Sequence, residues 1–355
     1  ERKVPAVPAP VVQAVNVRVA PHTVRISGQG TVRPLLNAQL VPQVSGKVTG
    51  TAASLVNGGT FKAGDELLKI DPIDYELAVT LAAARVGDAE AKYALSQEES
   101  EAAIQEWRDL NPGVKPPDLV ARKPQLSAAR AKLEAEEADY RKALLQLERT
   151  RLRAPFDGVV SAKMVDIGQY VTPGQQVATL YGTAAVEIVV PLESEHLQWF
   201  HVPGFTGEAR EGARAVVRVP IAGKVREWSG RVMRAEGRVD EQTRLINVVV
   251  RVNDPYARKP PLAVGLFATV EIEGRAIEQA ALLPRAALRT GDHVWLVDED
   301  QRLRFRKVEV ARIAKTGVLV VAGLNTGEHV IVSQMKAVTD GMRVQLLGDT
   351  AEMRP

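Results

Sequence analysis

From Val12 to Val32 apolar and polar residues alternate at the period of a β-strand, with a break at Gly28-Gln-Gly30. After Val41 the apolar residues come in short runs of Val, Leu and Ile. Gly46, Gly50, Gly58, Gly59 and Gly64 cut these runs, which predicts short strands and tight turns. At Asp71 the period changes. Asp71-Pro72-Ile73-Asp74 predicts a helix start: Asp as N-cap, Pro at the first helical position, a second Asp in the first turn. Val79, Ala83, Val86, Tyr93, Ile104 and Trp107 then stand on an alternating 4-3 spacing. Glu90, Gln97 and Ser100 interrupt it, which reads as an imperfect coiled-coil seam. Asn111-Pro-Gly-Val-Lys-Pro-Pro117 ends this helix. A proline inside a helix clashes with the carbonyl four residues back, so the regular part of the return helix starts at Pro124. Leu126, Ala129, Leu133, Glu136, Tyr140, Ala143 and Leu147 carry its seam at 3-4 spacing, to about Leu152. The first helix, about 36 residues, would reach ~50 Å.

The β-type segments on either side of this hairpin are two copies of one pattern. The first runs from Val41-Pro-Gln-Val-Ser-Gly46 through Gly58 and Gly64 to Leu67-Leu-Lys-Ile70. The second runs from Ala154-Pro-Phe-Asp-Gly158 through Gly168 and Gly174 to Val177-Ala-Thr-Leu180. Such self-similarity means one supersecondary unit used twice, neither half able to bury its apolar face alone. The halves must meet, and the hairpin is pushed out of the closed module. Beyond a hinge at Gly182-Thr183, Ile246, Val248, Val250 and Val252 alternate with Asn247 and Arg251. Leu266, Ala268, Val270 and Ile272 alternate with Thr269, Glu271 and Glu273, as in a small barrel with one wet face. Glu193 to Phe200 reads as a short helix over an open end. Residues 280 to 347 are again β-rich, with a hairpin turn near Asp298 to Gln301 and a pairing expected with Val12 to Val19.

Composition narrows the function classes. The 355 residues exceed one ordinary core. The 46 basic residues are spread along the chain and the net charge is only +3, so no nucleic acid is expected as a partner. With no cysteine there are no disulfides and no Cys-based metal sites. No apolar run is long enough to span a membrane. The chain opens on Glu1, and the expectation is that an upstream signal peptide, lipidated region or anchor helix has been removed.

Six segments in order carry a resemblance: Pro42-Gln-Val-Ser-Gly46, Ile70-Asp-Pro-Ile-Asp-Tyr75, Leu152-Arg-Ala-Pro-Phe-Asp-Gly158, Gly168-Gln-Tyr-Val-Thr-Pro-Gly174, Asp240-Glu-Gln-Thr-Arg244 and Leu283-Pro-Arg-Ala-Ala-Leu288. The chain resembles the periplasmic adaptor subunits, or membrane fusion proteins, of tripartite efflux pumps, nearest those serving resistance-nodulation-division (RND) transporters. The resemblance implies an elongated multidomain fold, mainly β with an α-helical hairpin. Its expected parts are an N-terminal linker to a membrane anchor (1–11), a membrane-proximal β domain (12–22 plus 279–348) and a β-barrel (23–36 plus 183–278). A lipoyl-like, barrel-sandwich domain (37–71 plus 153–182), a coiled-coil hairpin (72–152) and a C-terminal tail (349–355) complete it. It implies an inner-membrane RND transporter and a TolC-type outer-membrane channel as partners. It also implies self-association in a ring of six, and anchorage to the inner membrane of a Gram-negative bacterium. The expected channel contact is the hairpin tip, Leu110, Asn111, Pro112, Gly113, Val114 and Lys115, on a seam of Leu126, Leu133, Tyr140 and Leu147. The family's Arg, Leu and Ser tip pattern is not reproduced by Arg108, Leu110 and Ser127.

The sequence admits two rival readings. One keeps the fold and makes the chain an adaptor of an ATP-driven exporter. The other is a lipoyl or biotinyl carrier subunit, whose acceptor lysine sits at the turn joining the two copies. Here the hairpin replaces that turn, and Lys47, Lys62, Lys69 and Lys163 lack the carrier context. The expected turns of the lipoyl-like unit are Gly46, Gly58, Gly64, Gly158, Gly168 and Gly174. His196 and His201, five apart, miss the i, i+4 spacing of a zinc pair, and the five methionines form no cluster. No catalytic triad, phosphate loop or carboxylate pair appears, so the chain is read as no enzyme, with no cofactor and no metal.

Overall fold

The computed structural model describes residues 9–208, 211–314, 317–335 and 338–347, without the side chain of Arg238. Most of the expected N-terminal linker and the whole expected C-terminal tail lie outside these residues. The chain forms two compact units. One holds Val32–Glu187 and Val252–Leu266; the other holds the described residues up to Thr31, Ile188–Arg251 and those from Phe267 on.

In the first unit the two sequence copies interlock. One sheet runs Tyr170–Val171, Gly46–Thr51, Glu66–Ile70, Arg151–Arg153, and the other Asn37–Leu40, Ala178–Gly182, Gly158–Lys163, Thr60–Phe61. Each sheet thus takes strands from both halves. Tyr170 pairs with Lys47 and Val171 with Gly46, while Thr60 pairs with Val159 and Phe61 with Gly158. Val48, Leu67, Leu68 and Ile70 from the first copy share one buried core with Val160, Val171, Val177 and Leu180 from the second. Neither half could exclude water from these side chains alone, which is the physical reason the pattern is written twice.

Between the copies stand two helices, α1 (Ile73–Leu110) and α2 (Lys123–Glu148). They start and stop slightly off the expected positions. Pro72 occupies the N-cap and the regular helix begins at Ile73, whose N–H donates to the Asp71 carboxylate at 3.2 Å. The return helix ends at Glu148, not near Leu152, because Arg151–Arg153 is claimed as a strand against Glu66–Ile70.

The strands Arg214–Ile221, Lys224–Val239, Leu245–Asn253, Ala185–Glu193, Val19–Pro34 and Phe267–Leu283 lie side by side in that order. Arg214–Ile221 also pairs with Phe267–Leu283, Ala215 against Ile272 and Arg218 against Thr269, so the six close into a barrel. The alternation seen in the sequence points inward: Ile246, Val248, Val250 and Val252, and Ala268, Val270 and Ile272, are buried. Val249 is buried too, although the alternation predicts it outside. Arg218 bridges Glu227 and Glu271 across the closing strands, and Arg25 pairs with Glu271. Ser194–Trp199 forms the short helix, of 3-10 type.

Phe267–Leu283 outruns the barrel. It stays paired with Val19–Pro34 through two register shifts, from Phe267 opposite Thr31 to Ala281 opposite Val19, and its far end pairs with Gly317–Ala322. There a four-stranded sheet runs Leu303–Lys307, His293–Val297, His329–Ile331, Ala14–Asn16. Val11–Val12 lies parallel to Gln345–Leu346. The expected hairpin turn forms at Asp298, whose carboxylate accepts from the Arg302 and Asp300 N–H groups and from Arg304. The Arg302 N–H chiefly, with Arg304, holds that carboxyl below the usual range.

Candidate functional site

The double-repeat module is a base for the helical arm. At positions equivalent by repeat, Gly58 and Gly168 (φ +81 and +92) and Gly64 and Gly174 (φ +86 and +83) turn the chain in the left-handed region that a side chain resists. Gly158 serves otherwise: a Cβ there would lie 2.3 Å from the Tyr181 carbonyl oxygen, so the strand crossing needs bare backbone. Gly46 similarly passes against Ile70. Two bonds tie the arm to this base. The Tyr75 hydroxyl donates to the Ser45 carbonyl at 2.7 Å, and the Ile70 N–H donates to the Thr150 carbonyl at 2.8 Å. The joint between the copies is occupied by the arm. Lys163 pairs with Asp166 instead of standing free.

Along the arm, α2 turns Leu126, Leu133, Tyr140 and Leu147 to half-buried positions, with Glu136 and Ala143 buried between them. On α1 Val79, Val86, Tyr93 and Trp107 are covered as expected and Ile104 is half-covered, while the alternate seam positions fall one residue earlier than expected. The covered seam positions are Tyr75, Val79, Ala82, Val86, Ala89, Tyr93, Ser96, Ser100, Ala103 and Trp107, a continuous 4-3 alternation. Ala83 is exposed and Ala82 buried in its place; Glu90 and Gln97 are solvated neighbours of Ala89 and Ser96. The seam is unbroken, and on α1 large residues alternate with small ones, Ala82, Ala89, Ser96 and Ala103. Ser100 belongs inside it: 4% exposed, its hydroxyl donates to the Ala121 carbonyl at 2.6 Å. Arg122, in the left-handed region at φ +52, pairs with Glu99 one residue away.

These two bonds fix the tip. Since Ala121 is level with Ser100, the ten residues of α1 beyond it, Glu101 to Leu110, face a loop and not α2. Asn111 caps α1, its backbone and side-chain N–H groups both donating to the Trp107 carbonyl. Gly113 at φ +79 then reverses the chain, and the Val114 N–H returns to the Asn111 carbonyl. Of the expected tip residues, Leu110 is 74% and Val114 57% exposed; Pro112, Gly113 and Lys115 are exposed and Asn111 is half-buried in its capping role. Leu119, which the sequence reading passed over, is 75% exposed. The loop closes through the Ala121 N–H to Pro117 and through Asp118, whose carboxyl is held low by Lys123. The end of the arm is therefore a short, internally bonded loop presenting three bare apolar side chains.

Among the described residues no group of three or more His, Asp or Glu side chains is arranged to hold a metal ion, and no helix is long and apolar enough to cross a membrane. Two family models match the chain. The barrel-sandwich hybrid domain of RND membrane fusion proteins covers residues 37–182, and their C-terminal permuted SH3 domain covers residues 279–337. The chain is 26% identical to the multidrug resistance protein MdtA of Cronobacter turicensis, over 96% of this chain and 80% of that protein. It superposes on MacA from Actinobacillus actinomycetemcomitans with a TM-score of 0.62 at 16% identity, covering 90% of this chain and 99% of that one. A chimera of MacA with the α-hairpin of Pseudomonas aeruginosa MexA gives 0.61 at 19% identity, covering 90% and 100%. Both likenesses are of fold.

Proposed function

This chain belongs to the membrane fusion proteins of RND pumps, and from that premise we propose how its parts divide the work. Such proteins are periplasmic adaptor subunits of tripartite efflux pumps and partner with inner-membrane transporters and outer-membrane channels. The observation that carries the reading is the two-helix arm set between the halves of one β-module and ending in Leu110, Val114 and Leu119. The arm supplies reach. Its tip inserts into a TolC-type channel, where fully covering a Leu or Val side chain contributes about 1.5–3 kcal/mol. The β-modules dock the RND transporter and pack copy against copy in a ring of six, and an N-terminal anchor holds the ring to the inner membrane. The chain performs no catalytic step; the transporter supplies the energy. The ATP-driven alternative is not favoured, since both matching family models are those of RND adaptors.

The test uses the absence of native cysteine. Val114→Cys should be captured by the channel in cells on site-specific crosslinking, while Glu90→Cys, on the flank of α1, should not. Equal capture from both positions would reject docking through the tip.

A further inference from the structure

The double-repeat module departs from its own symmetry at one turn. Gly58 and Gly168 are equivalent by repeat, and so are Val48 and Val160. The Gly58 N–H donates to the Val160 carbonyl at 2.8 Å and the Gly168 N–H to the Val48 carbonyl at 2.8 Å, the same bond made once in each direction. The residue before the glycine differs: Ile167 in the second copy, Asn57 in the first. No other asparagine in the chain is followed by glycine. The Asn57 side chain reaches across to the second copy, where its Oδ1 accepts the Lys163 N–H at 2.9 Å. A backbone N–H can only donate, so this partner fixes which end of the amide is the oxygen.

An Asn-Gly pair carries its own chemistry, because glycine has no side chain to hinder attack by its amide nitrogen. The Gly58 nitrogen gives up its proton and bonds to Cγ of Asn57. The Cγ–Nδ2 bond breaks, and Nδ2 takes up a proton and leaves as ammonia, closing a succinimide. Water then opens the ring. Opening at Cγ leaves aspartate; opening at the main-chain carbonyl leaves isoaspartate, with the chain routed through Cβ and Cγ. Water is consumed, ammonia is released, and nothing is oxidised or reduced. In the folded module both reacting groups are engaged elsewhere. The nucleophile is bonded to Val160 and the electrophile to Lys163, and both partners lie on the strand Gly158–Lys163 of the second copy. Asn57 itself is exposed, so water reaches it, and these two bonds are what restrain it.

We propose that Asn57-Gly58 is a deamidation site held shut by the second repeat copy, and that its reaction marks chains whose two copies have parted. The two products differ in consequence. Aspartate keeps an oxygen for the Lys163 N–H. Isoaspartate adds a backbone carbon to a turn without slack. The Val56 N–H donates to the Ser54 carbonyl and the Gly59 N–H to the Val56 carbonyl, and a Cβ on Gly59 would lie 2.1 Å from the Ser54 carbonyl oxygen. The Gly59 carbonyl must also receive the Val160 N–H. A chain lengthened here no longer seats Gly58 and Gly59 on Val160, so isoaspartate keeps the copies apart. The inference concerns the module alone and stands apart from what the arm or the barrel docks.

The full-length chain is held at neutral pH, in buffer and in denaturing guanidinium chloride, and the conversion of Asn57 is followed by peptide mass mapping. Asp157-Gly158 and Asp340-Gly341 can also form succinimides, but without the mass change from amide to acid, so the map separates them. Conversion should be at least about tenfold slower in buffer, since the folded chain reacts only through the fraction whose copies are open. Equal rates would overturn the shielding. Lys163→Pro removes the N–H that holds Asn57. It should raise the rate in buffer several-fold with strand content by circular dichroism retained, while Lys163→Ala, which keeps the N–H, should not. A folded Lys163→Pro chain that converts at the parental rate would overturn the part given to the second copy. Should the proline prevent folding, chains aged in guanidinium and then diluted decide the matter. Isoaspartate at position 57 should be confined to the fraction that fails to refold, and its equal presence in refolded chains would overturn the mark.

Discussion

Ser100 is the residue on which the geometry of the tip turns. Its hydroxyl is the buried bond that returns the loop to α1, and it fixes how far the helix overhangs. Ser100→Ala leaves the Ala121 carbonyl enclosed without a donor, a loss of about 1–3 kcal/mol. Proteolysis within 111–121 should rise several-fold in this variant while the β-modules stay resistant; unchanged cleavage would show the bond to be dispensable. In the sequence Ser100 stands only as a polar interruption of the seam, because a serine in a helical stretch of Glu and Gln reads as solvated. Only the path of the returning chain buries it. The repeat glycines were legible for the opposite reason. Gly58, Gly64, Gly168 and Gly174 sit where the backbone itself demands a left-handed turn, and a local demand leaves a local mark.

At the scale of the element, the existence of the arm could be read and its register only in part. On α2 large residues mark the seam, so Leu126, Leu133, Tyr140 and Leu147 stand out from a charged background. On α1 every second facing position is small, Ala82, Ala89, Ser96 and Ala103, which hydropathy hardly separates from their exposed neighbours Ala83, Ala84 and Ala91. Small residues permit close approach of the helices, and they carry little hydrophobic signal. The asymmetry predicts an asymmetric response to mutation. Leu133→Ala should cost about 2 kcal/mol, the low end for a buried leucine because the site is only half-covered. Ala83→Leu, at an exposed position, should leave stability within about 0.5 kcal/mol of the parent. Thermal unfolding followed by helical circular dichroism measures both, and equal losses would mean that the seam runs elsewhere. The strands showed the converse difficulty. Period two identified inward faces of the barrel, yet Val249 is buried between Val248 and Val250, where neighbouring structure covers the outer face as well.

At the scale of the whole molecule, pairing is nested. The outermost partners are Val11–Val12 with Gln345–Leu346, then Ala14–Asn16 with His329–Ile331, then Val19–Pro34 with Phe267–Leu283. Inside these lie the two repeat copies, and innermost the helices. The sequence suggested that the termini should meet but could not supply the register, since alternating Val-rich segments fit several partners equally well. Removing residues from Val338 onward should uncover Val12, Val297, Leu303 and Ile331, which share a core with Val344. That truncation should lower the first unfolding transition seen by calorimetry and leave intact a later one from Val32–Glu187. A single transition lowered as a whole would contradict separate cores. The nesting also sets an order of events during biogenesis. A chain emerging from its N-terminus can complete the arm and the interlocked repeats once Gly182 is free, since all their partners have arrived. Val19–Pro34 gains its first neighbour when Ala185–Glu193 arrives, but residues 11–17 must wait, unpaired, until about three hundred further residues have followed, and contacts so distant in sequence form slowly. A segment made early is thus among the last to fold, and for that interval its bare strand edges are the part of the molecule most in need of a chaperone.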